Sequence, residues 1–139
     1  MLMLKKESIW SLICFILSLL LCVGVMTVFH ACEKKDDGTW MHCHTAQIYV
    51  AAGAAVLCIL FLIAMLLKKR MVCIITGILG AIGSILILFI PGSLVPMCMM
   101  HTMRCYTVMQ PFVRIMAAAI AFFCILSVFQ TRKKARREA

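Results

Sequence analysis

Two short polar segments hold the side chains whose types and spacing suit chemistry. Residues 31–45, with His30 at their edge, carry Cys32, Met41, His42, Cys43 and His44. Residues 91–111 carry Cys98, His101 and Cys105, and five of the 12 methionines fall between Met97 and Met109. Methionine among apolar residues is usually a gap filler, but that reading suits a segment flanked by turn residues poorly. Soft thioether and thiolate ligands with imidazole select Cu(I), and methionine with histidine also ligates haem iron. The candidate ligands are therefore His30, His42, His44, Met97, Met99, Met100, His101 and Met103. Neither Cys-x-x-Cys nor Cys-x-x-Cys-His occurs, so the set lacks the spacing of a zinc site or a covalent haem site.

The cysteines suit covalent chemistry. Asp37-Gly38 is a two-residue hairpin turn signal, because both residues tolerate positive φ. Such a turn pairs Asp36 with Thr39, Lys35 with Trp40, and so on to Cys32 with Cys43. His30 and Ala31 then oppose Thr45 and His44. Thiol-bearing residues directly opposite, at a Cα separation of about 5.5 Å, lie within disulfide range. This predicts a Cys32–Cys43 bond. Cys98 and Cys105 are seven apart, about 10.5 Å along a helix, so they pair with each other only if the segment folds back near His101-Thr102. Otherwise they bond to the first segment or stay reduced, and sequence spacing does not choose.

The elements that position these segments are apolar. Residues 9–30, 46–67, 71–90 and 112–130 form four runs with no charge near their centres, each about the length a helix needs to cross the hydrocarbon core. The chain is 65% apolar, against about one half in a soluble domain, and its mean hydropathy is +1.08. Its 139 residues suffice for one domain. The backbone in lipid must satisfy itself, so the runs are helices. Lys5, Lys6, Lys68, Lys69, Arg70, Arg132, Lys133, Lys134, Arg136 and Arg137 fall on one side of a four-span chain; Lys34, Lys35, Arg104 and Arg114 fall on the other. The ten-to-four bias places the first side in the cytoplasm. Both termini and the inner loop 68–70 are then inside, with the basic tail 131–139, and the loops 31–45 and 91–111 form an outer cap. Lys5-Lys6 before an apolar run also opens signal peptides, but a run of about 20 residues exceeds the usual apolar region of those. Phe29-His30-Ala31 before Cys32 fits a lipoprotein cleavage site poorly.

The net charge of +9 does not indicate nucleic acid, because the basic residues cluster beside apolar runs rather than over a soluble face. No ionisable carboxylate, lysine or arginine lies at mid-depth; Arg114, one turn into the fourth run, can snorkel to the outer interface. Buried charges mark ion paths and proton relays. The pattern therefore counts against small multidrug exporters and against proton-coupled transport by this chain alone. Cys14, Cys22, Cys58, Cys73 and Cys124 read as small hydrophobes. The three-residue loop 68–70 makes the second and third runs antiparallel neighbours. Ala51-Ala52-Gly53-Ala54-Ala55 is expected to face Gly77, Gly80, Gly83 and Ser84, and Ala117, Ala118, Ala119 and Ala121 serve the fourth run similarly, since small residues let membrane helices approach closely.

His30, Cys32, Asp37, Gly38, Trp40, Met41, Cys43 and His44, followed by Cys98, Met103, Arg104, Cys105 and Pro111, resemble the loop motif of a family of small prokaryotic four-span proteins of unknown function. The resemblance covers nearly the whole chain. It implies the cytoplasmic membrane of a bacterium and a place beside ABC exporters of the macrolide-export type. The four spans and paired outer cysteines are also similar to quinone-linked thiol oxidases of the DsbB type, which pass electrons through two thiol pairs. Those enzymes carry Cys-x-x-Cys in one loop, whereas the spacings here are longer.

The expected fold is an all-α integral membrane protein, a four-transmembrane-helix bundle over residues 1–139 with a small disulfide-bearing extracytoplasmic cap. The first functional expectation is a non-catalytic accessory or docking subunit whose partner is a membrane protein such as an ABC transporter permease. The alternatives are thiol–disulfide exchange through Cys32, Cys43, Cys98 and Cys105 with a quinone, and copper or haem binding at the cap.

Overall fold

A computed structural model describes residues 2–28, 38, 42–90, 93 and 105–138. It contains four helices, α1 (Leu2–Thr27), α2 (His42–Leu67), α3 (Arg70–Phe89) and α4 (Gln110–Glu138), with a π-helical turn at Cys105–Met109 leading into α4. All four are long and apolar enough to cross a membrane. Successive helices pack together and α4 returns to α1, so the chain is an antiparallel four-helix bundle.

Each helix buries a narrow seam. On α1 it is Ser11, Cys14, Ser18, Leu21 and Val25; on α2 it is Val50, Ala54, Leu57, Phe61 and Ala64. On α3 the seam is Gly77, Gly80, Ser84 and Ile87, and on α4 it is Gln110, Val113, Ala117, Ile120 and Cys124. The spacing alternates between three and four residues, the seven-residue repeat of helices that supercoil left-handedly. Residues between the seams, such as Leu20, Val56, Ile82 and Phe122, are exposed and as apolar as the core. In a bilayer this is the expected division, because lipid solvates those side chains and only shape complementarity selects the seam.

α2 and α3 pack closely, but the expected facing of Ala51-Ala52-Gly53-Ala54-Ala55 with Gly77, Gly80 and Gly83 is corrected: the antiparallel register sets Gly53, Gly80 and Gly83 against large side chains, and Gly77 against α4. A Cβ on Gly53 would lie 3.1 Å from the Ile87 side chain, and one on Gly83 would lie 3.1 Å from Leu57. The α3–α4 contact is closer still, since a Cβ on Gly77 would lie 2.5 Å from Cγ2 of Val128. Ala117 joins the core, while Ala118 faces outward.

Lys68 ends α2 in the left-handed region, with φ of 48°, and its N–H donates to the Ala64 carbonyl at 3.2 Å. Lys69 is extended and precedes the first turn of α3. One residue thus reverses the chain, and Cβ crowding makes that conformation unfavourable for anything but glycine. Replacing Lys68 with glycine is expected to raise stability by on the order of 1 kcal/mol, read from thermal unfolding in detergent. At the same end Arg70 forms an ion pair with Glu138, tying the start of α3 to the last turn of α4. Both groups are exposed, so the pair adds little stability.

The helices exceed the apolar runs. α1 starts at Leu2 and α4 continues to Glu138, because lysine and arginine are good helix formers once the chain leaves hydrocarbon. The structure also places residues 42–45 and 105–111 in helical segments, although their composition reads as loop.

Candidate functional site

The end of the bundle where α1 stops and α2 and α4 begin adjoins the two polar segments in sequence. α1 ends at Thr27, so its last carbonyls have no partner within the helix. Gln47, in the second turn of α2, supplies one: its Nε2 donates to the Val25 carbonyl at 3.0 Å and lies 3.9 Å from the Met26 sulfur. Gln47 is 7% exposed and Val25 is fully buried, so this amide joins two helices where little water competes. Gln47→Leu keeps the volume and strands that carbonyl. It is expected to lower stability by about 1–2 kcal/mol, measured by chemical or thermal unfolding in detergent.

Met109 and Gln110, at the start of α4, are both buried. Pro111 stands in the first turn of α4, where its missing N–H is tolerated. It removes the donor that an α-helix would direct at the Thr107 carbonyl, and the chain over Cys105–Met109 takes the wider π pairing found at such irregularities. Cys105 therefore opens a helical turn instead of lying in an extended loop.

Of the predicted ligands, His44 lies half-buried in the first turn of α2. His42 and Cys43 begin the same helix. His30, Cys32, Met97, Cys98, Met99, Met100, His101 and Met103 lie outside the described residues. Gly38 adopts φ of 78°, the left-handed conformation that the Asp37-Gly38 turn requires. The strand pairing expected beyond that turn is corrected, however. Residues 42–45 are helical, so they cannot supply the extended partners to which Cys32, Ala31 and His30 were matched. The β-ladder argument for Cys32 facing Cys43 is lost with them, and Cys32 itself is outside the described residues. Among the described residues, no three His, Cys, Asp or Glu side chains gather within metal-binding reach.

The interior holds a contact that reading along the chain does not reveal. The Cys124 thiol points at Cys14 with sulfurs 3.8 Å apart, across 110 residues of sequence, and the two are 0% and 1% exposed. A Cβ on Gly80 would lie 3.1 Å from the Cys124 sulfur and 2.7 Å from Cζ of Phe61. α1, α2, α3 and α4 therefore converge on one layer made of Cys14, Phe61, Gly80 and Cys124. Nucleophilic and ligand chemistry need a thiolate, and hydrocarbon does not solvate that charge. Packing is the role this setting supports. Cys22 donates a long contact, 3.8 Å, to the Ala51 carbonyl, binding α1 to α2 nearer the C-terminal end of α1. No periodic signal marks Cys14 and Cys124, since cysteine in an apolar run looks like any other small hydrophobe.

Residues 14–130 match a family model described as a domain of unknown function (DUF4418). No curated protein and no solved structure matches the chain.

Proposed function

The chain belongs to the DUF4418 family, and from that premise we propose that it is a non-catalytic accessory subunit that docks on a larger membrane protein. One observation carries this reading: the buried side chains among the described residues are apolar or neutral, with no buried charge. Val25, Val50 and Val113 near one end, Leu21 and Ile120 nearer the middle, and Cys14, Phe61 and Cys124 toward the other end are buried, and the buried polar residues among those described are Ser, Thr and Gln. Transport through a bundle needs a wet or charged path, and thiol or metal catalysis in it needs a solvated reactive group. A core of this composition favours the lipid-facing surfaces and end loops as working surfaces.

The basic residues support both termini in the cytoplasm, which puts the cysteine-, histidine- and methionine-rich segments on the outer face of a bacterial cytoplasmic membrane. There, disulfides among Cys32, Cys43, Cys98 and Cys105 would persist and give a rigid docking cap. The loop resemblance favours a permease of an ABC-type exporter as the partner.

Extraction from native membranes in mild detergent, followed by size separation and non-reducing mass analysis, tests the proposal. The expected result is co-elution with a larger membrane protein in fixed ratio, with disulfides confined to the cap. A chain that elutes alone from crosslinked membranes contradicts it. A visible absorbance band or bound copper that depends on His101 and Met100 would replace docking with haem or copper binding. Quinone-dependent oxidation of a partner thiol, lost in Cys98→Ser or Cys105→Ser, would replace it with thiol exchange.

A further inference from the structure

A cavity of about 170 Å³ opens on the lipid-facing surface between α3 and α4. Gly77 and Ala81 form one wall, Ile125, Val128 and Phe129 form the other, and Arg132 stands at one end. The hollow follows from the sequence. Gly77 and Ala81 are one turn apart on α3 and project almost nothing, whereas Phe129 extends outward and is 67% exposed. Val128 sits against Gly77, where the two helices approach closely. From Ile125 to Arg132 the groove follows α4 for two turns, about 10 Å. It starts within the hydrocarbon and finishes where the apolar run gives way to charge.

We infer that this groove binds one anionic phospholipid of the leaflet at the C-terminal end of α4. Its acyl chain lies along Gly77, Ala81 and Phe129, and its phosphate sits on Arg132. The apolar part suits a flexible methylene chain, which takes the shape of a shallow hollow more readily than a rigid helix does. The charged end supplies the complementarity. A guanidinium presents a planar fork of donors that matches phosphate oxygens, and an arginine at the end of a membrane helix reaches headgroup depth. Glu138, the acidic residue nearest Arg132 in the sequence, is engaged by Arg70. Lys133, Arg136 and Arg137 are exposed on the same helix end, so the local field is positive. That field favours a headgroup with net negative charge and disfavours a zwitterionic one, whose ammonium would enter the basic cluster. Basic pockets between membrane helices recognise anionic headgroups in this way.

Native mass spectrometry of the full chain in detergent, with equal amounts of phosphatidylglycerol and phosphatidylethanolamine added, tests the inference. The wild-type chain is expected to retain one phosphatidylglycerol. Arg132→Gln, at an exposed position that folding does not need, is expected to lower that occupancy about fivefold, the worth of one basic residue beside an anionic headgroup. Ala81→Phe fills the hollow and is expected to remove the adduct while leaving the charge in place. Arg137→Gln, outside the groove, should leave it unchanged. Should Ala81→Phe fail to fold, Arg132→Gln still decides. Equal retention of phosphatidylethanolamine, or occupancy indifferent to Arg132→Gln, would overturn the assignment. So would a lipid-free dimer or protein complex occupying the α3–α4 face.

Discussion

Gly80→Leu is expected to lower the stability of the bundle by about 3 kcal/mol or more, the upper range for overpacking a filled core. Even a methyl group at this position would lie 2.7 Å from Cζ and 3.0 Å from Cε1 of Phe61, and 3.1 Å from the Cys124 sulfur. Phe61 is 3% exposed and Cys124 is fully buried, so neither can turn aside into open space. A leucine must push α3 away from α2 and α4 together. Gly80→Ala separates this mechanism from a general loss of glycine. It is expected to cost about 1–2 kcal/mol by itself, and less in a Phe61→Leu background, where the ring edge it meets is gone. A double-mutant cycle read by thermal unfolding in detergent should therefore give a coupling of about 1 kcal/mol between positions 61 and 80. Strict additivity would show that the two residues are not in contact.

Cys14 and Cys124 should be the slowest of the five cysteines within the spans (Cys14, Cys22, Cys58, Cys73 and Cys124) to react with a membrane-permeant alkylating reagent. Each is buried from both lipid and water, at 1% and 0% exposure, and each sulfur is covered by the other. Reaction then waits for the bundle to open, and a marginal stability of about 5 kcal/mol slows it by roughly five-thousandfold relative to the unfolded chain. Cys22, Cys58 and Cys73 are only partly buried and should react sooner. Mass spectrometry of peptides from protein labelled for increasing times reads all five in one experiment. Labelling of Cys14 at the rate of Cys58 would show that the central layer does not pack as described. Gly80→Leu should also speed the labelling of Cys124, which links the two predictions through one layer.

The four membrane-length helices and the α2–α3 pairing are legible in the sequence. Length, apolarity and a three-residue inner loop are sufficient for both, but not for the register, since Gly53 packs on Ile87 and Gly83 on Leu57 rather than on each other's small-residue stretches. The buried seams are not legible in the same way. In water the core face of a helix is more apolar than its other face, but in lipid that contrast vanishes. Leu21 in the core and Leu20 beside it are chemically identical neighbours with opposite environments. What distinguishes a seam is the three-and-four alternation of small and well-fitting residues, which becomes visible only when all four helices are aligned. The Cys14–Cys124 contact has no local signal because it depends on α4 returning to α1. In the first polar segment, turn chemistry at Asp37-Gly38 implied extended strands through residue 45. The helical tendency of α2 reaches back to His42 and replaces residues 42–45 of the second of them. The positive φ of Gly38 survives because it depends on one residue, not on a partner.

Photo-crosslinking in native membranes tests docking most directly. A photoreactive residue is placed singly at Val23 on α1, Tyr49 on α2, Ile82 on α3 and Phe122 on α4, all exposed, with the fully buried Ile120 as control. If the chain is a docking subunit, at least one exposed position will join it to a single larger membrane protein. Positions on the opposite face will capture only lipid, and Ile120 will yield no intermolecular product. Lipid adducts alone from all four exposed positions would contradict docking through the membrane-spanning faces and the accessory role built on it.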